Sequence, residues 1–219
     1  MSAIIRSFRN HGFRAERIFG ITMLMSFAFI FYFLFLDGMS FSLENILGRL
    51  PFSVFFLSVV MILIYGLVDV VCYVPLTISN GCTRRNMLFG QIFMHVVEVG
   101  QTLLVLAVFF ALSPVKASIE SGAFLKMSAA AFIASSGVSL LAGMVVYRFG
   151  RIAYFIIIFL MTGVGGAVGG LMGAFGGDRV AAMVPQILQK FGWVGLAVIL
   201  YVICVAVFGL LSRKMEVKG

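Results

Sequence analysis

The chain has 219 residues, of which 62% are hydrophobic and only 11% are charged, and its formal net charge is +8. A soluble domain is about 45–50% apolar and about 25% charged, so this composition excludes an ordinary water-soluble fold. The basic residues fall in short clusters between long apolar runs, which argues against nucleic acid as a partner. We therefore predict a single all-α integral membrane domain over residues 1–219, in contact with the lipid bilayer.

The first segment of the chain is basic and amphipathic. Ile4, Ile5, Phe8 and Phe13 alternate with arginines at roughly helical spacing. This pattern predicts an amphipathic interfacial helix over residues 1–17, the alternative being a basic tail without regular structure. The segment does not resemble a cleaved signal peptide, so we expect the apolar run that follows it to be retained.

Six apolar runs follow along the chain, each long enough to cross about 30 Å of hydrocarbon as a helix. The runs are continuous and do not alternate with a period of two, which favours transmembrane helices over the strands of a barrel. The predicted spans are 18–36, 52–77, 90–112, 127–146, 153–175 and 193–211. Between spans five and six, residues 179–191 have one apolar face interrupted by Pro185, so we expect short external helices there.

The distribution of Lys and Arg predicts the orientation, because these residues are retained on the cytoplasmic side. The set predicted to lie inside has eleven members: Arg6, Arg9, Arg14, Arg17, Arg84, Arg85, Arg148, Arg151, Arg213, Lys214 and Lys218. The set predicted to lie outside has five: Arg49, Lys116, Lys126, Arg179 and Lys190. Both termini are therefore predicted to lie in the cytoplasm.

Two acids stand within the predicted spans, Asp69 in the second and Glu98 in the third. Spans two and three form a hairpin, so these acids are expected at comparable heights, facing a common space. His95, Glu98 and Gln101 recur at intervals of three residues, close to one helical face. The four residues are candidates for a substrate path, the alternative being protonated acids satisfied by a neighbouring helix. No metal site is expected, since two further ligands would be needed.

The fifth predicted span ends in a glycine-rich segment. Small residues spaced four apart allow two helices to approach closely, either within one chain or at a dimer seam. The candidate helix-packing residues are Gly165, Gly166, Gly169, Gly170 and Gly173.

The inner loop between spans two and three has its own turn signals. Gly81 suits the left-handed position after the end of a helix, and Thr83 suits the N-cap of the next helix. Arg84 and Arg85 then fall in the first helical turn, where the helix dipole disfavours cations. These arginines either set the orientation of the hairpin or form a docking surface for an acidic or carbonyl-rich cytoplasmic partner.

Catalytic motifs do not appear in the sequence. The two histidines are His11 and His95, and there is neither a G-x-S-x-G nucleophile motif nor a G-x-x-x-x-G-K phosphate loop. We therefore do not expect an enzyme. If ATP powers this protein, another chain must bind it.

The loop segment Gly81, Thr83, Arg84, Arg85 and Asn86, with its flanking residues 75–90, resembles a segment of bacterial type-2 ABC exporter permeases. Six spans, inner termini and an amphipathic N-terminal helix agree with that resemblance. It implies that these five residues couple the chain to a separate ATP-binding cassette subunit. Two such subunits would bind ATP and Mg, and two permease copies would form the translocation path in the bacterial plasma (inner) membrane.

Small permeases of this kind are similar to exporters of amphipathic peptides or bacteriocins. The alternative is the substrate-binding membrane subunit of a vitamin or small-molecule uptake complex, which has a similar length and number of spans. That alternative predicts a docking face of small residues on the first span, whereas residues 21–36 are mostly bulky.

Overall fold

The structure is a computed structural model that describes residues 3–36, 38, 40–79, 81–114, 121–150, 152–153, 155–157 and 186–213. Within these ranges, the side chains of residues 3–15, 33, 121 and 186–191 are also outside the description. The described part of the chain is helical and contains no strand, which confirms the all-α fold class.

The first helix, α1, spans Ala3–Leu36. The segment predicted as an amphipathic helix, residues 1–17, is therefore helical from residue 3 and continuous with the first span. No proline stands in this stretch to interrupt the backbone hydrogen bonds, which is consistent with one uninterrupted helix.

The second helix, α2, spans Leu43–Val68 and begins nine residues before the predicted span at residue 52. Ser42 caps it, because its side chain accepts a hydrogen bond of 3.2 Å from the backbone N–H of Asn45. Glu44 lies in the first turn, where the helix dipole favours an acid. The helix therefore starts before the apolar run that predicts the span and continues through Pro51.

The second span changes its helical geometry in its C-terminal part. A π-helical turn spans Asp69–Tyr73 and is followed by the short helix α3, Val74–Ser79. The backbone N–H of Val74 donates to the carbonyl of Asp69, five residues back. Pro75 follows directly, and since its ring crowds the carbonyl four residues before it, a wider turn at this place relieves the clash.

Three further helices complete the described bundle: α4, Arg84–Leu112; α5, Ser121–Phe149; and α6, Gln186–Ser212. Gly192, with φ 68° and ψ 145°, separates residues 186–191 of α6 from the last span. Five helices in the described part are long and apolar enough to cross a membrane: Glu16–Leu36, Leu43–Ser79, Arg84–Leu112, Gly122–Phe149 and Gly192–Ser212.

The fifth predicted span lies outside the described residues beyond residue 157, and so do residues 179–185 of the predicted external helices. The five candidate packing glycines, Gly165, Gly166, Gly169, Gly170 and Gly173, fall in the same undescribed stretch. Six spans and external helices remain predictions.

Contacts at the two ends of the bundle agree with the predicted pairing of the connections. At one end, the Arg84 guanidinium donates to the backbone carbonyl of Arg213. At the other end, a Cβ built on Gly48 would lie 3.8 Å from Cγ of Pro114. Residues predicted to share the inner side thus meet at one end, and residues predicted to share the outer side meet at the other.

The described core contains three apolar clusters, and the two larger ones are stacked along the helices. Ile30, Val54, Leu106, Phe110 and Phe132 are among the buried residues of the cluster in the outer half. The cluster in the inner half contains Val70, Val74, Met87, Leu140, Met144 and Phe208. Polar side chains occupy the level between the two clusters, which places the candidate site in the middle of the bundle.

Candidate functional site

Asp69 is the first residue of the π-helical turn, and its side chain is only 3% exposed. A carboxyl group buried at membrane depth is costly unless it is hydrogen-bonded, protonated or opposite a cation. Wide helical turns of this kind occur frequently at functional sites, because they offset a side chain from the regular helical face. The turn therefore marks Asp69 as the first element of the site.

One face of α4 supplies most of the other polar groups. Gln91, His95, Glu98 and Thr102 are all buried and recur at i, i+4, i+7 and i+11. On this face, Met87 lies in the inner apolar cluster and Leu106 in the outer one. The polar groups thus form a band in the middle of a 29-residue helix whose two ends pack against apolar residues. Gln101, predicted to belong to this face, is half-buried beside it.

Asp69 and Gln91 connect the second and third described spans. The Gln91 side chain is fully buried, and its Nε2 donates a hydrogen bond to Oδ2 of Asp69. The other polar atom of the amide, Oε1, has no hydrogen-bond partner among the described residues. Gln91 was not predicted, although it stands four residues before His95 on the same face.

Glu98 is 4% exposed, and its Oε1 atom also finds no hydrogen-bond partner within the described part of the chain. Asp69 lies close enough to Glu98 to interact with it electrostatically, and a common substrate path for the two acids stays a prediction. Gln91, however, lies between them along α4 and forms the direct contact with Asp69. Gln101 Oε1 is a further buried acceptor without a described partner.

His95 connects this polar band to the last helix. Its Nδ1 atom lies 3.2 Å from the hydroxyl of Tyr201, and the two rings meet edge to face with centroids 5.9 Å apart. Both residues also line a cavity of about 300 Å³ between α4, α5 and α6, with Val99, Ile133 and Ser136. Its volume is at the lower limit of ligand pockets, which are roughly 300–1,000 Å³. Tyr201 was not predicted, because nothing in the sequence indicates that α6 packs against His95.

The chemistry of the band follows from its charges. The predicted spans contain no Lys or Arg, and the only ionisable base within them is the imidazole of His95. The described residues contain no group of three or more His, Cys, Asp and Glu side chains that could hold a metal ion. What the band offers is a set of oxygen acceptors, which suit a proton or the N–H donors of a cationic group.

The inner turn has the geometry that its sequence predicts. Gly81 has φ 80°, and its N–H donates to Ile78 O at 3.0 Å, while Cys82 N donates to Thr77 O at 3.2 Å. These two bonds form a Schellman motif, which ends α3. Thr83 then caps α4, because its hydroxyl accepts a bond of 3.3 Å from the N–H of Asn86. The turn is therefore fixed at both ends by local hydrogen bonds.

The two arginines of the turn have different surroundings. Arg84 Nη1 donates to the carbonyl of Arg213, which satisfies a backbone acceptor at the end of α6. The guanidinium of Arg85 lies over the ring of Phe89, 5.7 Å from its centroid, and the side chain is exposed. Both arginines are exposed; Arg84 ties the turn to the last helix, whereas Arg85 contacts a residue of its own helix.

Close helix packing in the described part involves glycines that were not predicted. A Cβ on Gly143 would lie 2.6 Å from Cβ of Val70, and one on Gly66 would lie 2.1 Å from Oγ of Ser139. A Cβ on Gly137 would lie 3.1 Å from Cα of Tyr201. Glycine at these positions lets α5 approach the second span on one side and α6 on the other. These glycines stand singly in the sequence, so they were less conspicuous than the run of glycines after residue 162.

Comparison with known proteins gives no relative: no family model, no curated protein and no solved structure matches this chain. The function must therefore be inferred from the buried polar band and from the residues of the inner turn. The two features share one structural element, since α4 begins at the turn and carries Gln91, His95 and Glu98.

Proposed function

We propose that this chain is the transmembrane subunit of an ATP-driven ABC exporter in a bacterial plasma membrane, with both termini in the cytoplasm. In this proposal two copies of the chain form the translocation path. Two copies of a separate ATP-binding cassette subunit bind ATP and Mg and dock on the inner turn, residues 81–86. The resemblance of that turn to type-2 exporter permeases and its exposed arginine support the assignment.

The observation that carries the proposal is the course of α4. This single helix starts at the capped turn and passes through the polar band, with Glu98 at its middle. A displacement of the turn by a cytoplasmic partner would be transmitted along the helix, because backbone hydrogen bonds keep a helix stiff over this length.

Two hydrogen-bonded pairs lie where that displacement would act. Gln91 of α4 contacts Asp69 of the second span, and His95 of α4 contacts Tyr201 of α6. A shift of α4 against these helices would break or remake both contacts and change the access to the acceptor atoms between them. Packed helices have discrete arrangements, so such a change would act as a switch between two states.

The substrate class follows from the two sides of the site. The cavity beside His95 and Tyr201 is lined mainly by apolar side chains such as Val99 and Ile133. The buried carboxyl groups of Glu98 and Asp69 belong to the same polar band as His95, and the predicted spans contain no Lys or Arg. This combination suits an amphipathic molecule with an apolar body and a cationic group, such as a basic amphipathic peptide.

Partner coupling can be tested with the tagged chain, extracted from its native host. We expect it to co-purify with a subunit that contains a phosphate-binding loop, and the complex should hydrolyse ATP. Arg85→Glu should abolish both results, because it inverts the charge on the docking surface. Arg148→Glu is the matched control, since Arg148 is also exposed at the same end of the bundle but lies outside the turn. Normal co-purification and ATP hydrolysis with Arg85→Glu would contradict docking at this turn.

A further inference from the structure

A second pocket, of about 540 Å³, lies at the inner end of the bundle between the start of α4 and the end of α6. Its polar side is formed by Arg84, Arg85, Ser212 and Arg213. The nine described residues that line it include three arginines and no acid. Three positive charges around one space repel one another, so the pocket favours an anion that lies between them.

Two of the arginines are held at the pocket by described contacts: Arg84 donates to the Arg213 carbonyl, and the guanidinium of Arg85 lies over Phe89. Each guanidinium carries five N–H donors in a planar fork. A phosphate group matches such donors, because its oxygens accept two parallel hydrogen bonds from a guanidinium. The Ser212 hydroxyl instead donates 2.9 Å to Gly209 O.

The opposite side of the same pocket is apolar. Leu88 of α4 faces Val205, Gly209 and Leu210 of α6 across it. These residues belong to the first turns of α4 and the last turns of α6, two helices that are apolar enough to cross a membrane, so the pocket opens at the boundary between hydrocarbon and water. The absence of a side chain on Gly209 keeps this apolar side open, since a Cβ there would already lie 3.5 Å from Cδ2 of Leu88.

We propose that this pocket binds an anionic phospholipid, with the phosphate on the arginines and the start of one acyl chain along Leu88, Val205 and Leu210. A soluble anion would use only the charged side, and a neutral lipid only the apolar side. An anionic lipid would contact both the charged side and the apolar side of a pocket that lies at the membrane boundary. The inference does not depend on the proposed transport function, because it requires neither a partner subunit nor a substrate.

The test uses the full-length purified chain in detergent, delipidated and then supplied with phosphatidylglycerol or phosphatidylcholine. Native mass spectrometry counts the bound lipids, and titration gives their apparent affinity. We expect phosphatidylglycerol to bind at least about fivefold more tightly than phosphatidylcholine. Arg213→Gln should remove most of this preference, and it retains the backbone carbonyl that accepts from Arg84. Arg148→Gln is the matched control and should bind both lipids as the wild type does.

Gly209→Leu tests the apolar side, because its side chain fills the space proposed for the acyl chain. It should weaken phosphatidylglycerol binding by about tenfold, while retention on a sizing column and helical circular dichroism verify that it folds. Equal binding of the two lipids, or unchanged preference in Arg213→Gln, would overturn the proposal. If inorganic phosphate binds as tightly as phosphatidylglycerol and Gly209→Leu has no effect, the pocket is a free-anion site and the lipid assignment is wrong.

Discussion

The amide of Gln91 donates a hydrogen bond to the carboxyl group of Asp69, which joins α4 to the first residue of a π-helical turn in the middle of an apolar bundle. Both side chains are buried, at 0% and 3% exposure. The contact explains how the second span tolerates an acid at this depth. Through this hydrogen bond, a movement of α4 would displace the second span at Asp69.

Removal of the acceptor should destabilise the fold, whereas its replacement by an amide should not. Asp69→Ala leaves the Gln91 donor buried and unsatisfied, which costs about 1–3 kcal/mol. Asp69→Asn retains an oxygen that can accept the bond, so its stability should stay near that of the wild type. Labelling of buried Cys204 by a thiol dye during heating, with Cys72 and Cys82 replaced, would follow unfolding.

The double variant Asp69→Ala/Gln91→Leu separates this contact from other effects of the substitution. Removing both partners should cost less than the sum of the single changes, because no unsatisfied donor remains. Additive losses would mean that the two side chains do not depend on each other, which would contradict the described contact.

The Glu98 carboxyl group should select cationic substrates. If the proposed transport function holds, Glu98→Gln should assemble normally and transport a basic amphipathic peptide less well than a neutral analogue. The loss should be about tenfold for each roughly 1.4 kcal/mol of interaction removed. Glu44→Gln is the matched control, since Glu44 is an exposed acid in the first turn of α2. Efflux from cells, measured for both labelled peptides, gives the ratio, and equal transport of the two by Glu98→Gln would reject the recognition role.

The close approach of α5 and the second span should depend on Gly143. A Cβ at this position would lie 2.6 Å from Cβ of Val70 and 3.1 Å from the Leu67 carbonyl oxygen, so the helices must separate to admit it. Gly143→Ala should therefore destabilise the bundle by about 1–3 kcal/mol. Gly20→Ala meets nothing within 4 Å and should be neutral or slightly stabilising, as alanine favours helix. Thermal midpoints in detergent compare the two, and equal midpoints would show that the approach is not tight.

The orientation can be tested with a native cysteine of the inner turn. In a variant without Cys72 and Cys204, Cys82 should not react with an impermeant thiol reagent in intact cells and should react after permeabilisation. A cysteine placed at Glu44, at the opposite end of the bundle, should react in intact cells. The reverse pattern would place the inner turn outside and would overturn the predicted topology.

The local signals in the sequence were sufficient to predict several parts of the structure. Gly81 and Thr83 were predicted at the ends of two helices, and both have the expected geometry, because such caps depend only on adjacent residues. Five of the predicted apolar runs correspond to described helices that are long and apolar enough to cross a membrane. These runs could also be predicted locally, because the hydropathy and length of a span are properties of a single helix. Asp69, His95 and Glu98 were recognised as candidates because an ionisable side chain in an apolar run has a high free-energy cost of burial.

The contacts between distant helices could not be predicted in this way. Tyr201 meets His95 across the bundle, and no local pattern in α6 indicates its partner. Gln91 is polar but uncharged, so it was less conspicuous than the acid it contacts. The π-helical turn results from Pro75 acting on a helix that the apolar pattern describes as regular. The helix α2 begins nine residues before the predicted span, because its cap at Ser42 lies outside the apolar run from which the span was predicted.

The measurement that most directly tests the transport proposal is ATP-dependent accumulation of a labelled basic amphipathic peptide in inverted membrane vesicles. The vesicles would contain this chain together with the ATPase subunit that co-purifies with it. We predict accumulation that requires ATP, that is retained with Arg148→Glu and that is lost with Arg85→Glu although the chain is present in equal amount. Accumulation equal to that of vesicles lacking the chain, or unaffected by Arg85→Glu, would contradict an exporter coupled through the inner turn.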